Sequence, residues 1–283
     1  MSDPLVWNLD PVLLQLGSIQ VRYYGICFGM VFVTAFAVWR SRVQRFGETA
    51  EFAEVMLYWA APTAIIGARL GHCFFYQPKY YLAHPLKIFA VWEGGVASHG
   101  AALALPIMLF LFSRRHGISW TRLSDYFAPA VALAVGWMRV GNFFNSEVLG
   151  SPSSVPWAVV FARHDLVPRH PAQLYDLLIG PATWLVLTAV ERRNIRPVGS
   201  GLIAGTFLTV YFGLRIFVEQ YKMFYGEDLR ALAPFVAVEQ WIGVPIHTGQ
   251  WLSVLPVLAG IVLIARAYRL QVPPRHATPA ASA

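Results

Sequence analysis

Seven apolar runs of about twenty residues divide this chain, near 19–39, 53–76, 96–113, 123–144, 171–190, 201–221 and 249–268. A helix needs about 20 residues to cross a hydrocarbon core about 30 Å thick. Inside that core backbone N–H and C=O groups have no water to bond, so helices that satisfy their own are favoured. The runs therefore predict an all-α integral membrane protein with about seven transmembrane helices. Composition agrees: 57% of the 283 residues are hydrophobic and 13% are charged, against about 25% charged in a soluble domain.

The loops predict orientation. Arg40, Arg42 and Arg45 follow the first run, and Arg114, Arg115 and Arg122 the third. Arg192, Arg193 and Arg196 follow the fifth, and Arg266, Arg269 and Arg275 the seventh. The intervening loops are longer, hold fewer cations and include Glu93, Asp165, Glu227 and Asp228. Cationic loops stay inside, which puts the N-terminus outside and the C-terminus in the cytoplasm. The net charge of +7 thus reads as a topology signal and a contact for anionic lipid, not as a nucleic-acid surface. Residues 1–18 are too short to span and read as an interfacial arm. Loop 77–95, rich in Tyr, Pro and Trp, suits the outer interface, where loops 145–170 and 222–248 also fall. Residues 1–270 read as one polytopic domain, and 271–283 as a disordered cytoplasmic tail. Before Arg22 there is no Lys or Arg, while Asp3 and Asp10 are present, which is unlike a cleavable signal. Cys27 and Cys73 both lie in apolar runs, so neither a disulfide framework nor a thiolate metal site is expected.

Polar groups within spans are costly and mark function by default. Under this topology Arg22, Arg69, His99, Arg139, His170, Arg215 and Glu219 all gather at the outer end, from six different runs. In Gly136–Gly150, Arg139, Asn142 and Ser146 share one helical face, so a cation and an amide point the same way. Tyr211, Arg215, Glu219 and Lys222 form a second stripe at i, i+4, i+8 and i+11. An isolated surface ion pair is worth about 0–1 kcal/mol and does not account for that stripe. Arg22, Arg69, Arg139 and Arg215 outnumber the nearby carboxylates Glu147, Asp176 and Glu219. Their guanidinium forks match phosphate geometry and keep their charge when desolvated. A phospholipid head in the outer leaflet is the ligand such a cluster suits. His99 and His170 add groups that exchange protons near neutral pH. The sequence holds no HExxH, GxSxG or Cys/His metal spacing. Neither a metal nor another cofactor is expected. Arg and Asn for an anion, a His or Tyr as base and no protein nucleophile imply direct transfer from a lipid to an incoming group.

These residues resemble the prolipoprotein diacylglyceryl transferase family of the bacterial inner (plasma) membrane, a resemblance that makes the outer side, with the N-terminus, the periplasm. Its signature is similar to Arg-x-Gly-Asn-Phe-x-Asn-x-Glu-x-x-Gly, followed here by Arg139 through Gly150. Further matches are Tyr23-Tyr24-Gly25, Gly67-Ala68-Arg69-Leu70, Trp92-Glu93-Gly94-Gly95 with His99-Gly100, Arg169 through Tyr175, Tyr211/Arg215/Glu219, and Gly249 through Ser253. The resemblance covers about 19–268. It implies transfer of the diacylglyceryl group of phosphatidylglycerol to the lipobox cysteine of preprolipoproteins, with release of glycerol phosphate. By matching position it implies that Arg139 and Arg215 hold the phosphate and glycerol head, with Asn142, Asn145, Glu147 and Gly150 completing the pocket. His99 and Tyr211 would help deprotonate the thiol. Tyr24 and His170 would line the site, with Arg69 and Glu219 among the binding residues.

The chain departs from the family's usual Gly at Ser146 and Ala101, Glu at Asp176 and frequent Arg at Lys222. A paralogue that binds or moves outer-leaflet phospholipid without the chemistry is the alternative. A small-molecule transporter would need polar residues through both halves of the bilayer and an internal repeat, and this sequence displays neither.

Overall fold

The structure, a computed structural model, describes residues 4–17, 19–90, 95, 97–193, 197–223 and 247–270, with backbone alone at 19, 98, 99 and 248. The expected tail from 271 and most of loop 222–248 lie outside the described residues. Helices dominate: α1 (Tyr23–Arg45), α2 (Ala50–Phe75), short α3 (Pro78–Ala83), α4 (Ser98–His116), α5 (Trp120–Ala134), α6 (Gly136–Phe144), α7 (Ala172–Arg193), α8 (Leu202–Glu219) and α9 (Thr248–Arg269). Among the described residues, five helical stretches are long and apolar enough to cross a membrane: α1, α5 continued by α6, α7, α8 and α9 from Gly249. Helices α2 and α4 have 26 and 19 residues. They fall outside that set, being diluted by Glu51, Glu54, Arg69 and His72 in one and the basic end Arg114–His116 in the other.

Local chemistry sets the helix ends. The Thr49 hydroxyl accepts the Phe52 N–H at 3.1 Å and caps α2; Ser119 does the same for α5 through Arg122 N–H. Gly117 at φ +66° closes α4, a conformation glycine adopts without a Cβ penalty. The run expected as one span near 123–144 is divided at Val135, where Met138 N–H reaches back to the Val135 carbonyl at 3.2 Å in a tighter turn.

Close helix contacts depend on small residues. A Cβ on Gly71 of α2 would stand 2.6 Å from the Gly100 Cα of α4, and one on Gly205 of α8 would stand 2.8 Å from the Gly260 carbonyl of α9. Such contacts let backbones approach where lipid removes the hydrophobic drive between helices. Trp39, Met56, Phe112, Leu123 and Tyr126 fill one core between α1, α2, α4 and α5. Leu103, Ile107, Leu255 and Val262 point outward, as lipid-facing side chains do.

The fold is mostly helical, as expected of an all-α membrane protein, with short strands added at one end. The arm forms strands β1 (Leu5–Trp7) and β2 (Val12–Leu16), and β3 (Ile19–Arg22) takes the first four residues of the run expected from 19; loop 145–170 supplies β4 (Val159–Phe161) and β5 (Pro168–Arg169). β2 and β3 form an antiparallel hairpin, while β1 runs parallel to β4, itself antiparallel to β5. The arm is Leu- and Val-rich but only a few residues long between turn positions, too short for a helix to nucleate. Leu5, Val6, Leu13, Leu14 and Leu16 remain exposed. Trp7 packs on Phe143 with ring centroids 4.5 Å apart, and Leu149, Val159 and Phe161 complete a cap over the end of α6.

At the opposite end of the bundle, Arg42 of α1 and Glu191 of α7 make two parallel bonds at 3.0 and 3.2 Å. There the fully buried Asp125 carboxylate accepts N–H bonds from Gly199, Gly201 and Ala204 at 2.8–3.0 Å. These polar groups sit near helix ends, satisfied by loop backbone and by one another.

Candidate functional site

Helices α6 and α8 end, and α1, α7 and α9 begin, at the end of the bundle capped by the small sheet. Here the Arg139 Nε lies 3.1 Å from Asp176 of α7, and its Nη1 donates to Asn142 Oδ1 at 3.3 Å. The cation and amide expected on one face of this stretch do point together. Ser146 leaves that face, because α6 stops at Phe144 and the chain turns.

That turn is tightly held. Ser146 and Val148 both adopt φ +54°, the left-handed region that β-branched residues seldom enter. Such positions cost on the order of 1–3 kcal/mol and persist where surroundings over-determine them. The Glu147 N–H bonds the Asn142 carbonyl at 2.9 Å, and the buried Gln173 amide donates to the Glu147 carbonyl at 2.7 Å. Met223 N–H and Ser151 N–H then join Leu149 and Tyr221 carbonyls at 2.8 and 2.9 Å. As a result the Glu147 carboxylate accepts both the Asn142 and Asn145 amides, each at 3.2 Å. The Tyr24 ring packs on the bare face of Gly141, 2.9 Å from where a Cβ would stand, within electrostatic reach of Glu147 and Arg139.

From α8, Glu219 is 3.8 Å from Arg215 and 2.7 Å from Lys222 Nζ, and Lys222 is 2.9 Å from Asp176. Tyr211 lies within electrostatic reach of Arg139, Arg215 and Asp176. Helix α8 ends at Glu219, so Lys222 keeps to the stripe by a turn and a backbone bridge to Gly150 rather than by helical register. A Cβ on Gly249 of α9 would overlap the Glu219 carboxylate, so α9 presses that carboxylate toward its cations.

Arg139, Asn142, Asn145, Glu147, Tyr24, Tyr211, Arg215 and Glu219 are thus brought together. Gly150 and His170 adjoin them: the His170 carbonyl packs on the Gly150 Cα, and the His170 ring Nδ1 lies 3.0 Å from the Tyr175 hydroxyl. His99 opens α4, its side chain outside the described residues, as are Trp92, Glu93 and Gly94. Arg69 stands apart. Its guanidinium donates to the carbonyls of Ile88, Gly95 and Lys87 at 2.9, 3.1 and 2.6 Å and lies over the Tyr81 ring, fastening the α2–α4 loop. Arg22 bonds Gln20 on the exposed hairpin. The cross-linking roles of Gln173 and Asp176 escaped sequence reasoning; the signal available was their i, i+3 spacing near the start of α7.

Outside the spans, Arg169 bonds both oxygens of Asp165. Those bonds hold the Asp165 carboxyl below the usual carboxylate range and close the β4–β5 turn.

The family model described as prolipoprotein diacylglyceryl transferase matches residues 11–266. A phosphatidylglycerol–prolipoprotein diacylglyceryl transferase of Nitrosospira multiformis is 38% identical over 94% of this chain and 89% of its own. Relatives of the same name from Chloroherpeton thalassium and Tolumonas auensis are 36% and 38% identical, over 93% and 92% of this chain and 94% and 96% of theirs. On this whole-length match, the chain belongs to the prolipoprotein diacylglyceryl transferase family.

Proposed function

We propose that this protein transfers the diacylglyceryl group of phosphatidylglycerol to the lipobox cysteine of preprolipoproteins in the bacterial inner membrane, the first step of lipoprotein maturation. One observation carries the reading to the residues: Arg139, Asp176, Lys222, Glu219 and Arg215 form a chain of alternating charge with a cation at each end. That chain has one positive charge in surplus, which a phosphodiester monoanion neutralises. In the reaction the cysteine thiolate attacks the glyceryl CH2, a C–S bond forms, and the C–O bond to phosphate breaks. Glycerol phosphate leaves with the electron pair and a second negative charge, toward which fixed guanidinium groups are directed as it develops. A thiol of pKa about 8.5 needs only modest help to ionise, and His99 and Tyr211 are the candidate acceptors of its proton. Glu147, fixed by two asparagine amides, offers acceptors to the glycerol hydroxyls.

Seven spans, with the N-terminus periplasmic and the C-terminus cytoplasmic, put this site at outer-leaflet headgroup depth. Periplasm-active and cytoplasm-active reporters fused at loops 114–122 and 145–170 check this: the first loop should read cytoplasmic and the second periplasmic. The chemistry is tested by incubating purified protein with phosphatidylglycerol and following glycerol phosphate. Release that requires a cysteine peptide supports the transferase. Lipid retained without release supports the lipid-binding paralogue and overturns the proposal.

A further inference from the structure

Lys222 is 5% exposed and lies beyond the last residue of α8, yet its ammonium touches carboxylates from two helices, Asp176 at 2.9 Å and Glu219 at 2.7 Å. Asp176, 4% exposed, is in turn shared between Lys222 and Arg139. The same Lys222 backbone bridges Gly150 at the end of the signature turn. Buried charges are expensive, and removing one partner of such a pair leaves the other uncompensated. Two end cations, Arg139 and Arg215, with Glu219 alone between them would already hold one surplus positive charge. Asp176 and Lys222 add one charge of each sign and leave that surplus unchanged. Their electrostatic effect is therefore local: Asp176 draws Arg139 from α6 onto α7, and Lys222 keeps Asp176 from neutralising Arg139 outright.

We infer that Asp176 and Lys222 are a positioning pair: Asp176 orients Arg139, and Lys222 keeps Asp176 from cancelling the one surplus positive charge that meets the departing phosphate. Neither touches the reacting atoms. The inference rests on the transferase reading above. It makes a demand that a merely structural pair does not: loss of either charge alone is harmful, and loss of both together is less so. Asp176→Asn raises the chain's charge by one and releases Arg139; Lys222→Gln lowers it by one and leaves the leaving group without a surplus cation. Whatever Glu147 contributes is the same in every variant.

The test uses the full-length protein in detergent micelles, with phosphatidylglycerol and a cysteine-containing lipobox peptide, and measures kcat and the KM for lipid. Each single variant should lose about 10- to 100-fold in kcat, the range that misplacement of a catalytic group produces. The KM for lipid should not rise in Asp176→Asn, whose site is more positive. Asp176→Asn/Lys222→Gln should recover at least about tenfold over the worse single variant, a non-additivity expected only for coupled residues. Asp176→Glu, which keeps the charge, should remain closer to wild type than Asp176→Asn. A double variant no better than the worse single, an unimpaired Asp176→Asn, or variants that all fail to fold would each overturn the inference. An active wild type without the charge pattern overturns this inference alone; a wild type that forms no product overturns the function and the inference with it.

Discussion

Ser146 and Val148 carry a local backbone cost: among the described residues they are the non-glycine residues with positive φ, both at +54° in the signature turn. A left-handed residue with a Cβ costs about 1–2 kcal/mol relative to glycine. In addition, the buried Ser146 hydroxyl finds no hydrogen-bond partner among the described residues. Ser146→Gly should therefore stabilise the protein by about 1 kcal/mol, after the greater freedom of the unfolded glycine is discounted. A rise in unfolding temperature checks this; a fall would mean that Ser146 holds the turn by a contact of its own. The residue scale was partly legible in the sequence. Helical spacing alone put Arg139 beside Asn142, and the i, i+4, i+8 stripe put Arg215 beside Glu219. The run read as 123–144 does end at Phe144, but the helical face extended to Ser146 does not continue, because the turn after Phe144 is held by Gln173 and the 221–223 segment. Nor did an arginine in an apolar run disclose its partners: Arg69, grouped with the lipid-binding arginines, is occupied by loop carbonyls.

At the scale of elements, α8 begins without a side-chain cap of its own, after Gly201 at φ +87°. Asp125 of α5 supplies one from a distance, taking the backbone N–H of the partly buried Gly199 and those of Gly201 and Ala204, which would otherwise be buried and unpaired. Asp125→Ala should destabilise the protein by at least about 2 kcal/mol, since each stranded donor costs about 1–3 kcal/mol. An unfolding temperature equal to wild type would contradict the capping role. No local signal marks this arrangement, because cap and helix are separated by more than seventy residues of sequence. The β4–β5 turn gives a prediction in pH. Bonding to Arg169 lowers the folded-state pKa of Asp165, so its stabilising effect is complete above the unfolded carboxyl value of about 3.9 and disappears as pH falls through the lower folded value. Asp165→Asn should consequently reduce the unfolding temperature at pH 6–7 by an amount that shrinks as the medium is acidified below about pH 4. A difference that stays constant into that range would assign the effect to something other than the ion pair.

For the whole molecule, the apolar runs made the helical membrane class legible because each long helix carries its own hydrophobic signal. The short strands were not legible. Their two to five residues gain stability from pairing across the chain, as when Leu5–Trp7 meets Val159–Phe161. The site lies where these two kinds of element meet: a helical bundle brings the charges to one end, and the small sheet caps the helix that carries Arg139. The central claim is that those charges serve transfer from lipid to thiol. Its most direct measurement is mass spectrometry of a lipobox peptide incubated with the purified protein and phosphatidylglycerol. Wild-type protein should add one diacylglyceryl group to a cysteine peptide and none to its Cys→Ser counterpart, while Arg139→Ala lowers the yield by about 100-fold or more, the scale of losing a charge stabiliser at the reacting centre. An adduct undiminished in Arg139→Ala, or no adduct on the cysteine peptide from folded wild-type protein, would contradict the account.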